Sequence, residues 1–292
     1  MLYTIENKRL AVTVSDMGAE LMSIKTKADD CEYLWQGDKK YWGDRAPILF
    51  PICGRLVGGC YTYGGEKYKM DIHGFARASA FTLTEKSDDA ITLTLESSEE
   101  TKKIYPFDFV LSATYRLEGD RLINSYKISN SGVQTLPYSF GGHPGFNVPL
   151  GGEGNFEDCY LAFGEKCTPE IFLLSPSLFL SGNTAPFKLT CGKRLDLRHD
   201  LFDNDAIFLK DAAKSVSIKS RVSKKSVTVE YNDFDYIGFW QADHSDATYV
   251  CIEPWNGLPG IDGKVDDFES KVAMRQLPAG ESYKMEFSIV IK

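Results

Sequence analysis

Apolar and polar residues alternate with a period of two along much of this chain, and this pattern restricts its fold more than any other feature. Leu10, Val12 and Val14, for example, are separated by Ala11 and Thr13. Successive side chains on a β-strand point to opposite faces of a sheet, so each such stretch predicts a half-buried strand. The same alternation occurs at 91–96, 227–231 and 285–292.

Turn-forming residues separate the predicted strands, for instance at 64–65 and 130–132. Helical patterns are scarce, and 97–103 and 175–180 each predict no more than a short helical piece. Strands and helices do not alternate strictly, so a doubly wound parallel sheet is not expected. Because no linker or repeat divides the chain, we expect residues 1–292 to form a single all-β domain, a large antiparallel β-sandwich.

The composition is that of a globular protein that binds neither nucleic acid nor a membrane. Hydrophobic residues make up 43% of the sequence, which is enough for a packed core. The net charge of −8 does not provide the basic surface that nucleic-acid binding needs. No run of about 18 apolar residues occurs, so no transmembrane helix is expected.

The chain contains seven cysteines, an odd number at irregular spacings and without a CxxC pair. A disulfide framework or a structural zinc site would show a different pattern, so we expect free thiols in a reducing compartment. The N-terminal residues also lack the basic and apolar stretches of a signal peptide. These features together predict a cytoplasmic protein.

Four segments interrupt the strand pattern and carry titratable side chains beside glycine or proline, where a rigid scaffold can aim a side chain. One contains Gly-Gly-His-Pro-Gly-Phe around His143, and another contains Cys-Ile-Glu-Pro-Trp around Glu253. A third contains His-Gly-Phe-Ala-Arg, from His73 to Arg77. The four segments are 45–55, 70–77, 140–147 and 250–257.

Taken together and in this order, the segments resemble the aldose 1-epimerase (galactose mutarotase-like) family. The resemblance spans nearly the whole chain and is greatest to a divergent bacterial branch that includes a protein linked to lactose utilisation. The run from His73 to Arg77 also resembles the hexose-6-phosphate 1-epimerase branch. Membership of this family implies a β-supersandwich with its active site in an open cleft on one sheet, and a sugar as the substrate.

The resemblance also implies roles for individual residues. It assigns Glu253 as the general base and His143 as the general acid. His73 matches a second histidine that hydrogen-bonds the sugar, and Arg55 matches an arginine in the same cleft. Asp205 resembles an acidic residue that holds sugar hydroxyls.

Two further residues complete the candidate substrate-binding set. Arg77 belongs to the run shared with the sugar-phosphate branch, and Trp255 lies two positions after Glu253. The chain departs from the classical galactose mutarotases around His73, where those enzymes carry an Asn-Arg-rich stretch that is absent here. The resemblance therefore does not extend to a preference for galactose.

The chemistry of anomer interconversion explains why one carboxylate and one imidazole suffice. A base takes the proton of the C1 hydroxyl while an acid protonates the ring oxygen, and closure of the ring on the other face reverses both transfers. Histidine suits the acid because its pKa lies near working pH, and a nearby carboxylate favours its protonated form. No redox centre or metal takes part, and no HxH or HExxH spacing occurs, so we expect no cofactor and no metal site.

Each candidate also has a purely structural explanation. His199 and His244 lie among polar residues and are expected to be exposed, whereas Trp42 and Trp240 are expected in the packing or the cleft wall. The alternatives for the site residues are an ion pair for Glu253, a turn cap for His143, a satisfied buried ring for His73, a turn role for Asp205, core packing for Trp255, and neutralisation of acids such as Asp44 or Asp71 by Arg55 and Arg77.

The sequence predicts an aldose 1-epimerase that acts on a free hexose, with a small-molecule sugar as its partner and a monomer or homodimer as its assembly. A hexose-6-phosphate 1-epimerase and a non-catalytic carbohydrate-binding protein remain alternatives. A glycoside hydrolase usually needs two carboxylates at the bond it cleaves, and Asp205 is the only evident second candidate beside Glu253. A neutral sugar is favoured over a phosphorylated one because the chain is acidic and offers few helix N-termini.

Overall fold

The computed structural model describes residues 1–292 and consists mostly of strands. Its one α-helix, α1, spans Glu99–Lys102. Five single-turn 3₁₀ helices span Val57–Gly59, Ala76–Ala78, Leu150–Gly152, Phe156–Asp158 and His199–Phe202. The strands are β1 (Leu2–Glu6), β2 (Leu10–Ser15), β3 (Leu21–Thr26), β4 (Ile48–Leu49), β5 (Cys60–Tyr63), β6 (Glu66–Lys69), β7 (Thr82–Lys86), β8 (Ala90–Glu96), β9 (Phe109–Glu118), β10 (Arg121–Asn130), β11 (Leu136–Tyr138), β12 (Gly141–Gly142), β13 (Gly145–Asn147), β14 (Cys159–Phe163), β15 (Glu170–Leu174), β16 (Leu180–Pro186), β17 (Arg194–Asp196), β18 (Ile207–Lys210), β19 (Ser215–Ser220), β20 (Val227–Glu230), β21 (Tyr236–Trp240), β22 (Tyr249–Trp255), β23 (Asp266–Asp267), β24 (Arg275–Leu277) and β25 (Ser282–Ile291).

Two large sheets organise the molecule. The nine-stranded sheet has the order β17-β14-β19-β20-β25-β10-β9-β8-β7, and the eight-stranded sheet has the order β16-β15-β18-β21-β22-β12-β4, with β13 also paired to β22. Three small sheets, β1-β2-β3, β11-β24 and β23-β5-β6, complete the fold. Strand pairs are antiparallel except for β5 and β23, which run parallel. The prediction of an all-β antiparallel sandwich is confirmed.

The two large sheets share one hydrophobic core of 62 buried residues. Phe163 on β14 and Phe239 on β21 meet across it, with ring centroids 5.9 Å apart. On β22 the residues Val250 and Ile252 face this core. Side chains alternate along a strand, so Cys251 and Glu253 of β22 face the opposite side of the sheet.

The predicted short helix at 97–103 is confirmed, and the one at 175–180 is wrong. Ser98 and Thr101 form a capping box at the start of α1. The second stretch is instead the tight connection between β15 and β16, in which the N–H of Leu178 donates to the carbonyl of Ser175 at 2.9 Å. Leu178 has a φ of 61°, which is incompatible with a continuing helix. No helix has both the length and the apolar character needed to cross a bilayer.

Candidate active site

All seven side chains selected from the sequence line one open cleft on the eight-stranded sheet. The cleft has a volume of about 440 Å³, within the usual range for a site that binds a small molecule. The residues that meet here are Arg55, His73, Arg77, His143, Asp205, Glu253 and Trp255.

The Gly-Gly pair before His143 allows the chain to pass between two aromatic side chains. Gly141 pairs with Trp255 of β22, and a Cβ atom at this glycine would lie 2.5 Å from Cδ1 of the indole. A Cβ atom at Gly142 would lie 2.7 Å from Cε1 of Phe287. Only glycine fits at both positions. This close packing of the backbone places the next residue, His143, in the cleft beside β22.

His143 and Glu253 are close neighbours inside the cleft. Nε2 of the histidine lies 3.2 Å from Oε2 of the glutamate, and their side chains are only 8% and 1% exposed. The contact is not aligned as a hydrogen bond, and both oxygens of Glu253 and Nδ1 of His143 lack a hydrogen-bond partner. Buried polar atoms are normally paired, so these three free atoms mark the position where a polar ligand would supply the partners.

Burial changes the charge preference of both groups. It raises the pKa of Glu253 well above the ordinary value, and the nearby Asp205 carboxylate adds to this effect. Burial also lowers the pKa of His143 to about 3, with the positive charge of Arg77 acting in the same direction. The cleft therefore favours a protonated Glu253 beside a neutral His143, rather than the ionised pair that a neighbouring opposite charge alone would favour.

The neutral pair and the ionised pair contain the same number of protons. Transfer of one proton from Glu253 to His143, across a contact of 3.2 Å, converts the first into the second. Hydroxyl groups that donate to the free carboxylate oxygens would stabilise the ionised form.

His73 is held in one tautomer by the backbone. The N–H of Gly54 donates to Nδ1 of His73 at 3.1 Å, so the proton of the neutral ring resides on Nε2. Burial lowers the pKa of His73, and the nearby His143, Arg77 and Arg55 lower it further. His73 is therefore a neutral hydrogen-bond donor within the cleft.

Both cleft arginines are paired with aspartates. Arg55 donates to Asp205, with 3.1 Å between Nη2 and Oδ2, and Arg77 forms an ion pair with Asp44. Both arginines therefore line the cleft, and each also neutralises an acid, which was the structural alternative for them. The pairing leaves neither arginine as an unopposed positive charge.

Aromatic rings enclose the imidazole of His143. The ring of Trp42 lies 5.0 Å from it at an angle of 34°, and the ring of Trp240 lies 5.7 Å away at 77°. Both tryptophans line the cleft, in agreement with the expected wall position. They exclude water from the histidine and offer flat apolar surfaces of the kind that pack against sugar rings.

The chain matches the family model for aldose 1-epimerase over residues 1–271. It belongs to the aldose 1-epimerase family. The match covers each segment that carries a cleft residue, from the loop that contains Arg55 to β22 with Glu253.

Similar proteins share both the sequence and the fold of this epimerase-family chain. Protein LacX, plasmid, from Lactococcus lactis subsp. lactis is 34% identical over 301 residues, covering 100% of this chain and 99% of the relative. A galactose mutarotase related enzyme from Lactobacillus acidophilus has a solved structure that superposes with a TM-score of 0.95 at 35% identity, covering 100% and 97% of the two chains. The predicted resemblance to the lactose-linked branch is confirmed.

A further relative, similar over a shorter stretch, is a putative glucose-6-phosphate 1-epimerase from Escherichia coli (strain K12). It is 30% identical over 122 residues, which cover 40% of each chain. The predicted similarity to the sugar-phosphate branch is thus present but covers less of the sequence.

One group of buried residues at the cleft and directly behind it has the donor types of a metal site. Ligand atoms of His143, Cys251 and Glu253 all lie within 4.8 Å of one another, and all three residues are buried. Cys251 and Glu253 project from the same face of β22. An imidazole, a thiol and a carboxylate are the ligands that zinc accepts, so these residues are the ones that could hold such an ion.

Several features of the cleft had no signal in the sequence. Leu178 and Pro259 line it, yet neither lies in a charged or glycine-rich motif that contains a selected residue. The expectation that His199 is exposed was wrong. Its side chain is 28% exposed, because the ring stacks on Phe156 with centroids 4.2 Å apart.

Proposed function

We propose that this protein is an aldose 1-epimerase that interconverts the α and β anomers of a free, unphosphorylated aldose. The observation that carries the proposal is the contact between His143 and Glu253 in the cleft, with three buried polar atoms left without partners. A bound sugar would supply hydroxyl groups to these atoms. The seven free cysteines support the further proposal of a reducing compartment such as the cytoplasm.

The proposed reaction starts from the ionised form of the pair in the sugar complex. Glu253 takes the proton of the C1 hydroxyl, His143 gives a proton to the ring oxygen, and the bond between C1 and that oxygen breaks. The pair is then neutral, which is the form that burial favours. After rotation about the C1–C2 bond, closure returns both protons, and the enzyme is unchanged.

Three neighbours would orient the sugar in this proposal. His73 donates from Nε2, since its Nδ1 is occupied by the N–H of Gly54. Arg55 and Asp205 hold one another and together present donors and acceptors to the sugar hydroxyls. A sugar held in this way has its C1 hydroxyl and ring oxygen already positioned for the two proton transfers, which lowers the entropic part of the barrier.

The charge of the cleft supports a neutral sugar. Its two arginines are both paired with aspartates, and Asp203 and Asp243 add further acidic groups to the lining. A phosphate dianion needs several free cations or a helix N-terminus, and it would be repelled by these carboxylates. The second candidate, a hexose-6-phosphate 1-epimerase, is favoured by the partial identity to the putative Escherichia coli enzyme.

Anomerisation of freshly dissolved sugars tests the proposal. Polarimetry or NMR would follow α-glucose, α-galactose and glucose 6-phosphate in buffer with EDTA, because no metal takes part in the proposed reaction. We expect faster equilibration of at least one neutral sugar, and a loss of at least about 100-fold in kcat for Glu253→Gln and for His143→Asn.

Matched control variants carry the same chemical changes outside the cleft. Glu230→Gln alters a carboxylate paired with Arg121, and His199→Asn alters a histidine that does not line the cleft. Both controls should retain wild-type turnover. Near-normal turnover by either cleft variant would remove that residue from its proposed role, and binding of a sugar without any acceleration would indicate a carbohydrate-binding protein.

A further inference from the structure

A lysine is buried behind one side of the cleft. The side chain of Lys271 is only 2% exposed, and its Nζ lies 3.6 Å from Oδ2 of Asp266, which is itself 6% exposed. Lysine is rarely buried this completely, since removal of an ammonium group from water is costly even beside a carboxylate. Burial lowers the pKa of Lys271 and raises that of Asp266.

The contacts of this ammonium group are two backbone carbonyls. Nζ donates to the carbonyl of Leu258 at 2.9 Å and to that of Pro259 at 3.2 Å. The donor to both carbonyls lies outside the cleft lining. Without Lys271 they would be buried acceptors that lack their charged donor, which is expensive. The lysine therefore stabilises one particular course of the chain at 258–260.

That course of the chain supports one side of the cleft, which we call the arginine wall and define as Gly54, Arg55, Leu178 and Pro259. The N–H of Gly260 donates to the carbonyl of Arg55 at 2.9 Å. The carbonyl of Gly260 accepts from the N–H of Leu180 at 3.0 Å, which anchors the turn that carries Leu178. Gly260 thus ties together two parts of the wall that are distant in sequence.

Pro259 extends the support to a second cleft residue. It packs so closely on Gly54 that a Cβ atom there would lie 2.6 Å from Cγ of the proline. Gly54 in turn donates the hydrogen bond that fixes the tautomer of His73. The contacts therefore run from the ammonium group, through Pro259 and Gly54, to the ring of His73.

We propose that Lys271 is a positioning residue for the sugar site: it holds the 258–260 segment, and through that segment it fixes the arginine wall. This inference rests on the proposed function for the identity of the ligand. Lys271 does not line the cleft and does not contact the sugar. The acid–base pair itself is placed by β12 and β22, whose strand pairing does not involve Lys271.

The variant Lys271→Met keeps the length of the side chain and removes its donors. We expect the KM and the equilibrium Kd for the sugar to rise about 10-fold, while kcat changes less than about 3-fold. Val229→Ala, a core change on β20 away from the cleft, is the control for a general loss of stability. It should lower Tm and leave KM unchanged, whereas an unchanged KM in Lys271→Met would overturn the proposal.

A double variant tests whether the lysine acts through the wall. Arg55→Ala should raise KM by itself, and addition of Lys271→Met should then raise it by less than about 2-fold. Multiplication of the two effects, or a fall in kcat alone, would contradict a positioning role. If Lys271→Met does not fold, Gly260→Ala disturbs the same contacts, since its Cβ would lie 2.8 Å from Oδ2 of Asp266 and 3.4 Å from the carbonyl of Arg55.

Hydrogen exchange separates this inference from the proposed function, because it needs no sugar. The amides of Gly260, Leu180 and Gly54 should exchange at least about 10-fold faster in Lys271→Met than in Val229→Ala. Unchanged exchange at these amides would reject the inference even for an active enzyme. Faster exchange in a protein that accelerates no sugar would instead reject the proposed function and keep the structural role of Lys271.

Discussion

Nε2 of His143 lies 3.2 Å from Oε2 of Glu253, although 110 positions separate the two residues in the sequence. Both side chains are almost entirely withdrawn from water, and burial disfavours the charge of each. The form with one transferable proton on the pair is therefore stable over a wide pH range.

The pH dependence of kcat/KM should show an acidic limb far below the usual histidine range. We expect activity to fall on the acidic side only when the pair gains a second proton, because burial lowers the pKa of His143 to about 3. The alkaline limb should reflect loss of the one proton that the pair shares. Because burial raises the pKa of Glu253 well above its ordinary value, this limb should lie well above the usual carboxylate range. We expect a plateau between the limbs in initial-rate measurements from pH 4 to 10. An acidic limb near pH 6.5, the ordinary value for histidine, would contradict this prediction.

The variant Glu253→Gln should be more stable than the wild type, by an amount that grows with pH. Because burial raises the pKa of Glu253, the folded wild type binds more protons than the unfolded chain above about pH 4.5, so its free energy of unfolding falls as pH rises. Glutamine has no proton to lose and avoids this effect. Thermal unfolding at pH 4, 6 and 8 would measure it, at roughly 2–4 °C in Tm per kcal/mol.

The control for this measurement is Glu230→Gln, which changes a half-exposed carboxylate paired with Arg121. It should show no gain in Tm that increases with pH. A gain for Glu253→Gln that is equal at pH 4 and pH 8 would mean that an ionised Glu253 is not disfavoured in the folded protein.

Release of Arg77 from its aspartate should shift the substrate preference toward sugar phosphates. Asp44→Asn removes the negative charge that pairs with Arg77 and leaves the guanidinium free in the cleft. We expect the ratio of kcat/KM for glucose 6-phosphate to that for glucose to rise about 10-fold at low ionic strength, and the rise to shrink with added salt.

The double variant Asp44→Asn with Arg77→Ala is the matched control, since it lacks both charges. It should return the ratio to about the wild-type value. A ratio that does not respond to Asp44→Asn would show that this ion pair plays no part in the discrimination against phosphate.

The three tryptophans of the cleft provide a direct signal for sugar binding. Trp42, Trp240 and Trp255 all line the cleft, and Trp42 lies 5.0 Å from the ring of His143. A neutral sugar that saturates the cleft should change the intrinsic fluorescence, and the variant His143→Asn should bind the sugar with the wild-type Kd within about 3-fold. A complete loss of binding in that variant would show that His143 contributes mainly to sugar binding and not to proton transfer.

The strands and the candidate residues could be predicted without any knowledge of the folded chain. Alternation in β2, β8, β20 and β25 was visible because one face of each strand packs on the core and the other does not. The segments around His143 and Glu253 were visible because glycine, proline and titratable residues coincide there. Local pattern failed at 175–180, where a residue with positive φ makes a turn instead of a helix.

The interactions among these residues, in contrast, depend on the folded chain. Arg55 meets Asp205 across 150 positions, and Arg77 meets Asp44 across 33, and no local pattern encodes such pairings. The charge preference of Glu253 and His143 likewise depends on burial by strands and loops from distant parts of the chain. Lys271 resembled any surface lysine in the sequence, because the carbonyls that hold it are fixed only when the chain at 258–260 is folded against the cleft.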